Sequence, residues 1–168
     1  MSLRLRPLRR DDERSALTAH RELARDHFSF LLGHDDDTTW TNHVATWQAR
    51  RRGEVIAPLS VPGDFLVAVV DGVIVGRASV RYALNEFLYY EGGHIGYCVR
   101  PDFRRRGYAS QILCQGLVLI RAAGVEDVLV TCDDDNVASA AVIEGAGGVI
   151  QNVVTSQAGH GIRRYWIR

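Results

Sequence analysis

The stretch Phe65-Leu66-Val67-Ala68-Val69-Val70, followed by Asp71-Gly72 and then Val73-Ile74-Val75-Gly76, constrains this chain more than any other. Two apolar, Val-rich runs separated by two residues, the second of them glycine, predict a hairpin. Two central antiparallel strands follow, and the second is expected to continue through Ala78, Val80 and Tyr82.

The flanking patterns fill in the rest. Leu3, Leu5 and Leu8 alternate with Arg4 and Arg6 as in a short half-buried strand, and Asp11 or Asp12 then offers a helix N-cap. Leu17, Leu23, Ala24, Phe28 and Leu31 recur at helical spacing, which predicts one helix running to Gly33. Asp35-Asp36-Asp37-Thr38 reads as the cap of a second helix carrying Trp40, Val44 and Trp47 and ending near Gly53. A cap accounts for that acidic triplet better than a metal site does. Pro58 and Pro62 place a surface loop between Gly53 and Gly63.

Beyond the hairpin, Leu84 to Leu88 leads into a strand from His94 to Val99, ended by Pro101 and Asp102. Ile112, Leu113, Leu117 and Ile120 then mark the inner face of a helix that Gly124 stops. Val128 to Cys132 is a buried strand, Ser139 to Glu144 a short helix, and Val149 to Val154 and Arg163 to Ile167 two closing strands. The order is β, α, α, β, β, β, α, β, α, β, β, an α+β arrangement over residues 1–168 read as one domain.

Composition narrows the chemistry. Twenty basic and twenty acidic residues cancel, so no overall field draws the chain to nucleic acid or to an anionic membrane. All the basic residues are Arg, which removes a Schiff-base or phosphate-loop lysine from consideration. Cys98, Cys114 and Cys132 lack the spacing of a zinc site or a disulfide framework, and Asp133-Asp134-Asp135 lacks the alternation of a calcium loop. No metal is expected, and the thiols suit a cytoplasmic setting. Neither a leader nor a membrane-spanning run is signalled.

Chemistry concentrates at Arg104-Arg105-Arg106-Gly107-Tyr108-Ala109, between an apolar strand and an amphipathic helix. Unpaired backbone N–H groups and the positive end of the helix dipole meet there, Gly107 clears space, and the arginines add fork-shaped donors. Such a turn suits a phosphate.

The turn resembles the acetyl-CoA motif of the GNAT acetyltransferase superfamily. The resemblance extends over Arg81, Leu84-Asn85, Gly93 to Tyr97, Val99 to Pro101, Asp135-Asn136, Ser139, Val142 to Glu144, Gly147-Gly148 and Arg164 to Ile167, and is similar to one bacterial branch of that superfamily. It implies an α/β/α sandwich with a mostly antiparallel sheet splayed at its central strands. It also implies transfer of acetyl from acetyl-CoA to an amine of a small molecule or peptide, in a ternary complex, by a chain that often dimerises.

On that resemblance Cys98 and Val99 hold the pantetheine arm through their main chain, and Arg104 to Ala109 hold the pyrophosphate. Asn136 and Ser139 meet the lower arm, with an N-cap role for Asn136 equally open. His94 is the first candidate for the proton chemistry, with Glu91 second, and Arg81, Asn85 and Glu86 are candidates for acceptor contact. The sequence departs from the family where a tyrosine commonly protonates the leaving thiolate: Ile143 stands there. Tyr97, Tyr108 and Tyr165 are the candidate donors in its place. The departure keeps open a chain that binds acyl-CoA without catalysis.

Overall fold

The computed structural model describes residues 2–54 and 60–168, so the centre of the loop expected between Gly53 and Gly63 lies outside the described residues. Strands β1 (Arg4–Pro7), β2 (Gly63–Val70), β3 (Val73–Arg81) and β4 (Ile95–Val99) form one antiparallel sheet in that spatial order. Strands β5 (Val128–Asp133), β6 (Val149–Thr155) and β7 (Gly161–Ile167) form a second, with β7 in the middle. The β2–β3 turn has φ of 49° at Asp71 and 81° at Gly72, the left-handed pair that an Asp-Gly hairpin favours.

Helices α1 (Glu13–Ala24) and α2 (Trp40–Arg51) cover one face of the first sheet, and α3 (Tyr108–Ala122) covers the other. On the first face Ala16, Ala19, Leu23 and Val44 pack on Phe65 and Val67. On the second, Leu113, Leu117 and Ile120 bridge the two sheets by touching Val80 and Ile95 as well as Val128, Val130 and Tyr165. Helix α4 (Val137–Gly145) buries Ala140 and Ile143 in the same cluster. The mixed α/β architecture is the expected one.

Two boundaries differ from the sequence reading. Helix α1 ends at Ala24, because His27 takes a left-handed φ of 55° and Phe28 N–H reaches back to the Leu23 carbonyl at 3.0 Å, a Schellman-type stop. Phe30 and Leu31 are still fully buried, but as part of an irregular connection between α1 and α2. The cap of α2 is Thr39, whose hydroxyl accepts from Asn42 N–H at 3.3 Å, while Thr38 bonds Asp35 instead.

Under α2 sits a cluster of three imidazoles. His43 is 2% exposed, stacks on Trp40 at 5.8 Å and meets the ring of His34 at 5.1 Å. Burial, reinforced by His34 and His20, pulls the His43 pKa from 6.5 down to about 4. The unfolded chain therefore binds the proton first as pH falls, so the stabilisation is complete above about pH 6.5 and lost toward pH 4. We expect urea unfolding to show up to about 3 kcal/mol of acid-side loss from this group across that window. His43→Leu should flatten the slope; an unchanged slope would place the titration elsewhere.

Candidate active site

The turn before α3 leaves its main-chain donors open. Pro101–Phe103 forms a single 3-10 turn after β4, Arg105 adopts φ of 63°, and Gly107 adopts φ of 75° as the residue entering the helix. No side chain caps α3. Within the described residues the N–H groups of Arg105 to Ser110 donate to nothing; the first bond into the helix is Gln111 N–H to the Gly107 carbonyl at 3.2 Å. Six consecutive amides are thus offered outward at the positive end of a 15-residue helix. A Cβ on Gly107 would meet open space, so glycine is needed here for its left-handed backbone, and the expected clearance role is secondary.

The three arginines divide. Arg104 is held by Asp26 at 2.7 Å and by the Val99 carbonyl at 3.2 Å, and Arg106 folds back onto the Asp102 carbonyl at 3.0 Å and over the Phe103 ring. Arg105 alone has no partner among the described residues. Tyr108 and Ala109 form the first helical turn and pack on the Val99 and Ile112 cluster.

Strands β4 and β5 belong to different sheets and carry no ladder between them. They are pinned at one end. His94 N–H donates to the Leu129 carbonyl at 2.7 Å, and Leu129 N–H donates to His94 Nδ1 at 2.9 Å. Because Nδ1 is an acceptor, the neutral ring carries its proton on Nε2. Burial and then the Arg81 charge depress the His94 pKa, and the side chain is 6% exposed. These facts place His94 as a clasp between sheets and count against its expected part as proton acceptor, since its basic nitrogen is committed to the main chain.

The register identifies which groups of β4 face the gap. Arg81 N–H bonds the His94 carbonyl at 2.8 Å and Arg100 N–H bonds the Val75 carbonyl at 2.9 Å. With Val80 opposite Ile95 and Gly76 opposite Val99, antiparallel alternation gives the β3 ladder to the even-numbered positions. The main-chain groups of Ile95, Tyr97 and Val99 therefore turn toward β5. Val99 turns its main chain to the gap side, where its carbonyl accepts from Arg104 Nε, whereas Cys98 has its main chain in the ladder, and burial pushes its thiol pKa up.

Across the gap, Asn136 Oδ1 caps α4 by accepting from Ser139 N–H at 3.0 Å. The Tyr97 hydroxyl lies 2.8 Å from Ser139 Oγ and 3.3 Å from the Ser139 carbonyl. Tyr97 thus spans the space between β4 and α4, and burial raises its pKa to about 12, which keeps it a neutral donor. Ile143 is fully buried in the core, and the Tyr165 hydroxyl is turned to Glu144 at 3.0 Å.

Two cavities flank the pinned end. One of about 450 Å³ is lined by Asn85, Glu86, Tyr90, Glu91, Ser156 and Gln157, among others. Glu91 Oε1 accepts Gln157 N–H at 2.8 Å there. The other, about 540 Å³, lies between α2 and β3 and is lined by His43, Trp47, Arg50, Ser79 and Arg81, with Asn85 and Phe87 shared between both cavities. Of the expected acceptor residues, Asn85 and Glu86 share the first cavity with Glu91, whereas Arg81 lines the second, with Asn85 at the border of both. The sequence reading missed His43, Arg50 and Ser79. The signal for the last was present: Arg77, Ser79 and Arg81 alternate along a strand that is otherwise apolar.

A family profile described as Acetyltransferase (GNAT) domain matches residues 2–149. The chain belongs to the GNAT acetyltransferase family. Solved structures share the fold. Mycobacterium smegmatis RimJ in complex with CoA-disulfide superposes with a TM-score of 0.72 at 21% identity, over 98% of this chain and 81% of that one. An N-acetyltransferase from Staphylococcus aureus Mu50 gives 0.70 at 18%, over 99% and 98%. The yncA protein of Salmonella typhimurium, with its cofactor acetyl-CoA, gives 0.68 at 17%, over 100% and 94%. No curated protein matches the sequence. Among the described residues of this GNAT domain, no group of three or more His, Cys, Asp or Glu side chains is arranged to hold a metal, and no helix is long and apolar enough to cross a membrane.

The clasp yields a test. His94→Leu in the GNAT domain leaves the buried Leu129 N–H unpaired and should lower unfolding free energy by about 1–3 kcal/mol. At temperatures where the variant stays folded, the pH profile of turnover should keep its wild-type shape. A lost limb in that profile would restore His94 to proton transfer.

Proposed function

We propose that the chain is an N-acetyltransferase that takes acetyl from acetyl-CoA and gives it to an amine held beside the β4–β5 gap. The observation that carries the reading is the row of undonated amides from Arg105 to Ser110, at the end of a strand whose own edge is unpaired. The pyrophosphate takes the amides and Arg105. The pantetheine arm lies along Tyr97 and Val99 as a substitute strand. Asn136 and Ser139 flank it from the N-terminus of α4.

In the reaction the amine nitrogen bonds the acetyl carbon, the carbon–sulfur bond breaks, and the thiolate leaves. Glu91, whose Oε2 is not engaged by Gln157, takes the proton from the amine directly or through water. Tyr97 gives a proton to the thiolate, being the phenol that reaches across the gap to Ser139, and it supplies what Ile143 cannot. Holding amine and thioester together supplies much of the acceleration, because a thiolate is already a tolerable leaving group.

The buried Ile143 favours a second reading, in which the chain retains acyl-CoA as a sensed ligand without turnover. Release of free thiol with an amine acceptor separates the two.

Gly107→Asp adds a charge and a Cβ to a left-handed position among the amides, and should abolish acetyl-CoA binding in calorimetry while circular dichroism stays native. Wild-type affinity in that variant would end the cofactor assignment. Tyr97→Phe should reduce kcat by about 100-fold with acetyl-CoA affinity within a few-fold of wild type; an unaltered kcat would remove Tyr97 as the acid.

A further inference from the structure

The 540 Å³ cavity is unusual in its charge. Arg50 and Arg81 line it, and Arg77 lies beneath them in β3, yet no carboxylate of the described residues comes within 4.0 Å of any of the three. Arg6 and Arg100, by contrast, meet carboxylates, Asp12 at 2.6 Å and Glu22 at 2.8 Å, while the buried Arg164 is the other case held by neutral acceptors, the Tyr89 carbonyl and Asn152 Oδ1. Arg77 is 3% exposed and held by the Phe30 and Ser29 carbonyls at 3.2 Å and 3.1 Å; Arg81 is held by the Gly92 carbonyl at 3.1 Å. Neutral acceptors orient these cations and do not neutralise them. Burial first, then Arg77 and Arg50, push the Arg81 pKa down to about 10.

The orphaned polar atoms fall in the same place. Among the described residues four buried side-chain nitrogens or oxygens have no hydrogen-bond partner: Ser79 Oγ, Arg50 Nε, His43 Nε2 and His34 Nδ1. The first three belong to residues lining this cavity, and His34 is the ring against His43. Buried polar groups are rarely left unpaired, and three at one cavity point to a ligand. A Cβ built on Gly96 would lie 3.2 Å from Ser79 Oγ, 3.4 Å from Arg81 Nη1 and 3.5 Å from Arg77 Nη1. Those donors therefore converge over Gly96, between Ile95 and Tyr97, two of the β4 residues whose main chain turns into the gap.

We infer that the acceptor carries a carboxylate, bound in this cavity by Arg81, Arg50 and Ser79, and that the substrate is an amine of amino-acid size. A guanidinium fork matches the planar carboxylate, Trp47, Phe87 and Leu88 supply an apolar wall for the remainder, and a cavity of this volume suits a small organic molecule. The identity of the acceptor as an amine rests on the acetyltransferase reading above; the anion site stands on the cavity alone.

The test compares matched triplets: an α-amino acid, its C-terminal amide, and the amine lacking the carboxyl group, across several side chains. With acetyl-CoA and the full chain, thiol release should favour the acid by about 100-fold in kcat/KM in at least one triplet. Arg50→Gln should cut use of the acid at least about tenfold while leaving the amide and acetyl-CoA affinity within a few-fold. Ser79→Ala, a smaller change, carries the same direction should the first variant fold poorly. Equal or better use of amides or plain amines overturns the inference and leaves the transfer reading intact. If no amine releases thiol, calorimetry with N-acetyl amino acids against their methyl amides decides: about tenfold tighter binding of the acids upholds the anion site while transfer fails, and equal binding overturns it.

Discussion

The hydrogen-bonded clasp between His94 and Leu129 is the interaction on which the site depends. It joins the two sheets at one end and leaves β4 and β5 unladdered beyond it. An unpaired strand edge is ordinarily covered or blunted, because its N–H and C=O groups will seek a partner. Here the edge lies inside the molecule, with α3 packed across both sheets behind it. Tyr97 acts as a strut from β4 to Ser139 on the far side, so the gap has a fixed closed end and a fixed span. A ligand that brings its own amide groups satisfies what the fold leaves open.

Charge is arranged on the same plan. The chain is neutral overall, and some of its Arg is paired with carboxylates, as in Arg104 with Asp26 and Arg163 with Asp134. Among the Arg residues that meet no carboxylate are Arg105 and those at the cavity over Gly96. One place lies at each end of the gap. Arg tolerates the second place better than Lys, being more weakly hydrated and able to spend its fork on carbonyls. The absence of Lys from the sequence is consistent with that use, although nothing in the structure explains it at exposed positions.

Much of this was legible in the residues. Asp71-Gly72 between apolar, Val-rich runs predicts its hairpin from turn chemistry alone, and the amphipathic spacing of Ile112, Leu113, Leu117 and Ile120 predicts α3 and its inward face. The amide-rich turn was legible because a strand, a glycine and a helix start are all local signals. What was not legible depends on distant partners. Leu31 keeps helical spacing after α1 has ended because it stays buried in an irregular segment held by Leu31 N–H to His20 Nδ1 at 3.1 Å, while Phe28, on the same spacing, is exposed. His94 looks reactive in sequence because position 129, which occupies its nitrogen, is 35 residues away. Cys98 and Val99 are equivalent in sequence, and only the register with β3 separates the one in the ladder from the one in the gap.

The alternation Arg77, Ser79, Arg81 shows how a single strand can serve both fold and site. Arg77 uses Nε and Nη2 on the Phe30 and Ser29 carbonyls, so its first task is to tie the connection between α1 and α2 onto the sheet. The rings of Phe28 and Phe65 lie about its guanidinium at 5.1 Å and 5.7 Å and replace part of the hydration it has lost. That connection in turn supplies Leu32 and Gly33 to the cavity wall. Two positions further along, Arg81 is fixed by the carbonyls that precede the clasp, Gly92 and Gly93. Its orientation and the β4–β5 junction are therefore set together, and a shift in one must be felt in the other. The cation that faces the cavity is positioned by the same turn that opens the gap, which ties the cavity to the gap through one short stretch of main chain.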